Sequence, residues 1–203
     1  MSNNLTNRKL AALQTRKKLV DTAKQIICEK GLVNTSIGEI TRACGVSSGT
    51  FYTYFKRKED IVYEISKEMF SEIYDKAQSY NGSFTERLIY FMKSFSEYIE
   101  NSGLKLCQEW VRNNVDPDMI KTESKMYMDI DLIKCLILNG VERGELKHDI
   151  PSEILAHTLV DVLYGQMLCW DMSGGEYSFA KRTKEFCDIF LSGIINQYLV
   201  EKG

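Results

Sequence analysis

Between residues 47 and 54 the chain reads Ser-Ser-Gly-Thr-Phe-Tyr-Thr-Tyr. Hydroxyls that both donate and accept, a phenol with its ring, and a glycine that lets backbone come close are the groups that hydrogen-bond to bases and phosphates. Phe51 and Phe55 stand one helical turn apart and define an apolar face. On a helix, Gly49 and Thr53 then point the other way, flanked by Thr50 and Tyr52. A short amphipathic helix that shows Gly, Ser, Thr and Tyr to its surroundings gains little stability from them. Lying in a DNA major groove is the use that fits.

Such a helix has to be held. Ser36 followed three residues later by Glu39 predicts a capping box at the start of a preceding helix, with Ile37 and Ile40 turned inward. Cys44-Gly45 ends that helix, because glycine takes the left-handed conformation at little cost. Val46 plugs the corner and Ser47 caps the next helix, which completes a helix-turn-helix over residues 35–59. Upstream, Leu19, Val20, Ala23, Ile26 and Ile27 predict a helix from about Leu13 to Lys30, closed by Gly31 and packed beneath the other two. Residues 1–7 are expected to be disordered. Arg8, Lys9, Arg16, Lys17 and Lys18 are expected to form a basic arm that crosses a phosphate backbone or enters a minor groove.

The run from Ile40 to Phe55, ITRACGVSSGTFYTYF, followed by Lys58-Glu59, resembles the signature of TetR/AcrR transcriptional repressors, I-A-x-x-A-G-V-S-x-G-T-[LF]-Y-x-[YH]-F-x-x-K-E. Thr41 and Cys44 stand in place of alanines, small for small. Arg57 departs from the pattern where Ser or Asn usually caps the fourth helix. The resemblance, with the helical geometry, points to Ser48, Gly49, Tyr52 and Thr53 as base-side residues, and to Ser36, Ser47, Thr50, Tyr54 and Lys58 as phosphate contacts. The plainer reading makes Tyr52 and Tyr54 half-buried packing residues. The family layout implies an N-terminal three-helix DNA-binding domain over 1–57. It also implies a larger C-terminal helical domain over 58–203 that binds an effector and dimerises.

The remaining sequence agrees with an all-α fold of about nine helices. Only two prolines occur, no segment alternates apolar and polar residues, and long stretches repeat at 3.6. A fourth helix from Arg57–Lys58 to Gln78 carries Ile61, Ile65, Met69 and Ile73. Ser83 and Glu86 form a capping box ahead of Leu88, Phe91, Met92, Phe95 and Ile99; a short helix from Leu104 to Arg112 contains Trp110. Asp116-Pro117 starts a long helix to Gly144, another runs from Pro151 to Met172, and the last from Ser178 to Val200.

Phe91, Phe95, Trp110, Met126, Tyr127, Tyr164, Met167 and Trp170 are candidates for an effector cavity. Plain core is the alternative from the residues alone, and the family resemblance favours the cavity. Glu109, Asp129, Asp131 and Asp161 could add a cation-attracting charge to it, but solvated surface is the reading preferred for each. Leu155, Leu159, Leu163, Phe186, Phe190, Gly193 and Ile194 are candidates for the interface of a homodimer. Gly165 and Gly193, inside helices, suggest close helix approach there.

The formal net charge of −2 hides an asymmetry: residues 1–60 carry 11 Lys/Arg against 5 Asp/Glu, and the rest carry 15 against 23. A basic head on an acidic body suits a nucleic-acid-binding module joined to one that must not bind nucleic acid. Six scattered cysteines, with no C-x-x-C, read as reduced, buried thiols of a cytoplasmic protein. His148 and His157 have no partners at zinc-ligand spacing, so neither metal, cofactor nor enzyme is expected, and no apolar run is long enough for a membrane. The function expected is a ligand-responsive regulator: a repressor that binds a palindromic double-stranded DNA operator as a homodimer and is released by a small-molecule effector. The alternatives are an all-α small-molecule-binding protein without DNA binding, or an enzyme.

Overall fold

The computed structural model describes residues 2–115 and 125–201. Three helices form the head: α1 (Ser2–Lys30), α2 (Ile37–Cys44) and α3 (Ser48–Tyr54). Leu19, Val20, Ala23 and Ile27 are all buried, so the apolar stripe of α1 packs as expected. The helix nevertheless starts at Ser2, well ahead of Leu13, where residues 1–7 were expected to be disordered. Hydrophobic periodicity reports burial rather than helix, and residues 7–11 are exposed, so the pattern was silent there.

Two residues of the expected basic arm do something else. Arg16 reaches α4 (Glu59–Ser79), where it pairs with Glu64 at 2.5 Å and Glu68 at 3.8 Å, and its guanidinium lies 5.5 Å from the Phe55 ring centroid. Lys18 Nζ donates to the Cys44 carbonyl at 2.9 Å, capping the C-terminus of α2, and Cys44 Sγ contacts the Lys18 carbonyl in return at 3.5 Å. These side chains clasp the head together.

The start of α4 resolves the departure at Arg57. No side chain caps it from outside; instead Asp60, in the first turn, accepts the backbone N–H of Lys56 at 2.9 Å and of Arg57 at 3.2 Å. Along α4, Ile61, Val62, Ile65, Met69, Phe70 and Ile73 are buried, and the helix packs against α1 as well as α5 (Phe84–Ser102), α6 (Leu104–Val115) and α7 (Lys125–Glu142). The Ser83/Glu86 capping box forms in full at the start of α5. The expected start of α7 at Asp116-Pro117 lies outside the described residues.

The layout closes with α8 (Ser152–Met172), then α9 (Phe179–Phe186), a π turn over Cys187–Leu191, and α10 (Ser192–Asn196), the last three in one continuous rod. Among the described residues this makes nine rods and no strand, the all-α architecture expected. The last rod stops short of Val200. Lys147 donates its N–H to the Tyr198 carbonyl at 2.8 Å and Val200 donates to the Glu145 carbonyl at 3.0 Å, so the chain end pairs, extended, with the α7–α8 link. Glu145 also pairs with buried Arg87 of α5, which donates to the Gly82 carbonyl at 2.7 Å.

Close helix approach within the protomer occurs at Gly140 of α7, where a Cβ would sit 2.6 Å from Phe84 and 2.8 Å from Leu146. Among the described residues, nothing lies within 4 Å of a Cβ at Gly165 or Gly193. Gly140→Ala is therefore expected to destabilise by about 1–3 kcal/mol through overpacking, read as a lower midpoint in urea denaturation; Gly165→Ala, in open space, should show no such loss.

Candidate functional site

Local bonding holds α3 in a fixed attitude. Ser36 Oγ accepts the Glu39 N–H at 3.2 Å, but the Glu39 carboxylate turns to Lys30, so the first capping box is only half formed. That hydrogen bond from Lys30 holds the Glu39 carboxyl below the usual range. Gly45 sits at φ 69°, and Val46 donates to the Thr41 carbonyl at 2.9 Å, giving the sharp turn. Ser47 Oγ accepts the Thr50 N–H at 3.2 Å and lies 3.0 Å from Thr50 Oγ1. Phe51 and Phe55 are buried with ring centroids 5.3 Å apart, which locks the inner face.

The outer face gathers Ser47, Ser48, Gly49, Tyr52 and Thr53, all exposed, with Tyr52 at 58%. Thr53 Oγ1 donates to the Gly49 carbonyl at 3.1 Å, and Thr50 is half-buried. Tyr54 is half-buried against the core, with its ring 6.4 Å from Phe55, so the plainer packing reading suits Tyr54; the Tyr52 ring meets Phe51 edge-on, centroids 5.6 Å apart, but is mostly exposed. Gly49 is helical, and a Cβ there would make only an ordinary contact with Ser47 Oγ at 3.6 Å. Nothing inside the chain requires glycine at that position. Lys58, expected to face phosphate, instead donates from Nζ to the carbonyls of Leu32 at 2.8 Å and Thr35 at 3.3 Å, tying the α1–α2 loop to α4. Arg8, Lys9, Lys17, Arg42 and Lys56 keep the head's surface basic.

A second site lies where α4 to α8 converge. Ser66 and Met69 of α4, Phe95 and Ile99 of α5, Trp110 of α6, Lys125 of α7, and Tyr164 and Met167 of α8 line a cavity of about 10 Å³, room for one water. Four of the eight predicted residues are thus brought together: Phe95, Trp110, Tyr164 and Met167. The other four are not. Phe91 is core, 5.0 Å from Phe70; Trp170 stacks on Phe179 and donates to the Tyr177 carbonyl at 2.8 Å. Met126 packs half-buried against the core, and Tyr127 is 56% exposed. A 3.6-residue repeat identifies a buried face without saying which part of it meets a gap.

The sequence reading also missed the polar members. Asp129, expected on the surface, is 2% exposed and pairs with buried Lys125; Tyr164 donates its hydroxyl to Asp129 Oδ2 at 2.5 Å. The Lys125 ammonium also lies 4.5 Å from the Phe70 ring centroid. Burial pushes the Asp129 carboxyl up and the Lys125 ammonium down. The Lys-x-x-x-Asp spacing was visible, but it looks like any exposed helix pair. Glu109, likewise expected in solvent, is buried and held by Arg112 at 2.8 Å, whereas Asp131 and Asp161 are exposed as expected.

Residues 19–65 match the family model described as "Bacterial regulatory proteins, tetR family". The chain is 23% identical to the fatty acid metabolism regulator protein of Bacillus subtilis (strain 168) over 187 residues, 89% of this chain and 95% of that protein. It is 25% identical to the transcriptional regulator AcrR of Shigella flexneri over 209 residues, 90% of each. The head thus matches the tetR family of bacterial regulatory proteins, and the chain is similar along most of its length to these two regulators. Thermus thermophilus FadR, a TetR-family repressor solved with lauroyl-CoA, shares its fold: TM-score 0.70 at 20% identity, over 93% of this chain and 97% of that one.

The two C-terminal rods offer an apolar outer surface. Leu155, Leu159 and Leu163 do not form it. They are buried in the protomer's own core, because α8 packs that stripe against α7 and α9. Ile154, Gly165, Leu168 and Met172 occupy the outward stripe of α8, with Met172 77% exposed. Phe190, Gly193 and Ile194 are exposed beside Ile189, and Phe186 is half-buried, its ring 5.8 Å from Phe190. The cysteines also divide: Cys44, Cys107 and Cys187 are buried, Cys28 is half-buried, and Cys135 and Cys169 are exposed. Burial pushes the Cys107 and Cys187 thiols up to about 12.

Two substitutions separate the roles on the head. Gly49→Ala should leave the melting temperature unchanged or raise it, by up to about 1 kcal/mol of helix propensity, while weakening DNA binding in a gel shift. Lys58→Met should instead lower stability by about 1–3 kcal/mol, as its two carbonyl partners lose a charged donor.

Proposed function

We propose that this protein is a ligand-responsive repressor that binds a palindromic double-stranded DNA operator as a homodimer and releases it when a small apolar effector enters the cavity. Residues 1–57 serve as the DNA-binding domain and residues 58–203 as the effector-binding and dimerisation domain, working in the cytoplasm where the operator lies. The observation that carries the reading is the outer face of α3. Ser48, Gly49, Tyr52 and Thr53 are exposed there, on a helix whose inner face is locked, and Tyr52 stays mostly exposed although its ring meets Phe51 edge-on, centroids 5.6 Å apart. Ser36, Ser47 and Thr50 flank that face, and their hydroxyls, already engaged in capping, retain lone pairs or hydrogens for phosphate contacts.

The apolar lining of the cavity supports an effector with a hydrocarbon chain. So do the relatives: FadR structures from T. thermophilus and B. subtilis are described with lauroyl-CoA and stearoyl-CoA. The proposed mechanism is a population shift. In the free dimer the two recognition helices sit one DNA turn apart, about 34–36 Å. A ligand between α4 and α6 displaces Trp110, whose ring lies 6.1 Å from Tyr98; the Lys24 ammonium of α1 rests 4.2 Å from that Tyr98 ring. Lys105 of α6 donates to the Glu29 carbonyl of α1 at 2.6 Å. Movement of α6 therefore reaches the head directly, and the ligand's differential affinity for the two states sets the extent of release.

The test is a gel shift on the DNA flanking the protein's own gene, with and without lauroyl-CoA. A specific complex that the thioester dissolves is expected; no specific complex with any flanking fragment sinks the regulator reading. Assembly has its own test. A Cβ at Gly193 would have no atom within 4 Å among the described residues, so Gly193→Leu should fold normally, appear monomeric in light scattering and bind operator weakly. A variant that remains a tight dimer takes this face out of the interface.

A further inference from the structure

The cavity carries a polar address within an apolar wall. Trp110 is 3% exposed, and its indole Nε1 has no hydrogen-bond partner among the described residues. A buried N–H left in that state needs a reason. The Lys125 ammonium, with three hydrogens, gives one to Asp129 and faces the Phe70 ring, and its side chain lines the same cavity. The other polar liners have committed their hydrogens: Ser66 to the Tyr63 carbonyl at 2.7 Å, and Tyr164 to Asp129 at 2.5 Å. A ligand therefore meets donors, and it must bring an acceptor.

Charge decides which acceptor. Lys125 and Asp129 already cancel each other, and Lys125 is the one cation among the described lining residues. A carboxylate would leave a net negative charge walled off from water, and an ammonium ligand a net positive one. A neutral carbonyl satisfies the donors without adding charge. We propose that the cavity recognises its ligand by a neutral carbonyl at the head of an apolar chain, held by the Trp110 indole N–H and the Lys125 ammonium, and that Asp129 makes the site reject free carboxylates. Met69 and Met167, unbranched and flexible, are walls that yield to the chain. The proposal rests on the cavity being the effector site.

The test is calorimetric titration of the full chain, without DNA, with methyl decanoate and with decanoate near pH ~8, where the acid is ionised. The ester should bind at least about tenfold more tightly. Asp129→Asn removes the compensating charge and leaves the ammonium, so the order should invert in favour of decanoate. Equal affinities in the parent protein, or an unchanged order in a folded Asp129→Asn, overturn the proposal. Should melting show that Asp129→Asn does not fold, Trp110→Phe keeps a ring and loses the N–H. It should weaken methyl decanoate roughly fivefold or more, and an unchanged affinity overturns the proposal equally. Operator release by lauroyl-CoA with no ester preference would sink this inference alone. Ester preference with no operator complex would sink the regulator reading alone.

Discussion

One helix joins head and body in a single core, and the structure depends on it. α4 buries Ile61, Val62 and Ile65 toward its start, and Met69, Phe70, Ile73 and Ala77 further along, while packing against α1 of the head and α5, α6 and α7 of the body. Each large apolar side chain taken out of water contributes about 1.5–3 kcal/mol, so burial dominates that attachment. The Arg16–Glu64 pair, with Arg16 30% exposed, adds little energy by comparison. Its effect is directional: it fixes how α1 lies across α4. Head and body cannot move independently of this helix.

The buried charges sit at odds with their surroundings. Asp129 is pushed up and Lys125 down, both toward the neutral form, which means that burial costs each of them more than its partner returns. A pair disfavoured in this way, beside a cavity with an unpartnered indole N–H, is better understood through what the cavity binds. Arg87 is a contrast. It joins Glu145 and the Gly82 carbonyl, lines no part of this cavity, and pins the α7–α8 link against the start of α5.

Helix α3 and the cavity follow opposite strategies. On α3 the inner face is locked by Phe51 and Phe55 and the outer face is polar and exposed, so rigidity presents chemistry to a partner. Around the cavity the walls include two methionines and leave room for a single water, so the site depends on give. Trp110 connects them: it lines the cavity and lies beside Tyr98, on which Lys24 of α1 rests.

The sequence by itself determined what is local. The turn at Gly45, the cap at Ser47, the inner pair Phe51 and Phe55, and the full capping box at Ser83 and Glu86 all depend on residues within one helical turn or corner. The family signature lies in the same stretch and was legible for the same reason. Tertiary structure alone decided which face of each helix meets which neighbour. It placed Leu155, Leu159 and Leu163 inside while Ile154, Leu168 and Met172 lie outside. It put the close approach at Gly140 instead of Gly165 or Gly193, and ended the last rod at Asn196 by pairing the chain end with the α7–α8 link. It turned Lys58 onto the carbonyls of Leu32 and Thr35, and drew Lys125, Asp129 and Tyr164 into one buried cluster. Helix periodicity fixes a stripe to within about one residue, or 100° of rotation, and a rotation of that size is what separates a core leucine from a surface one.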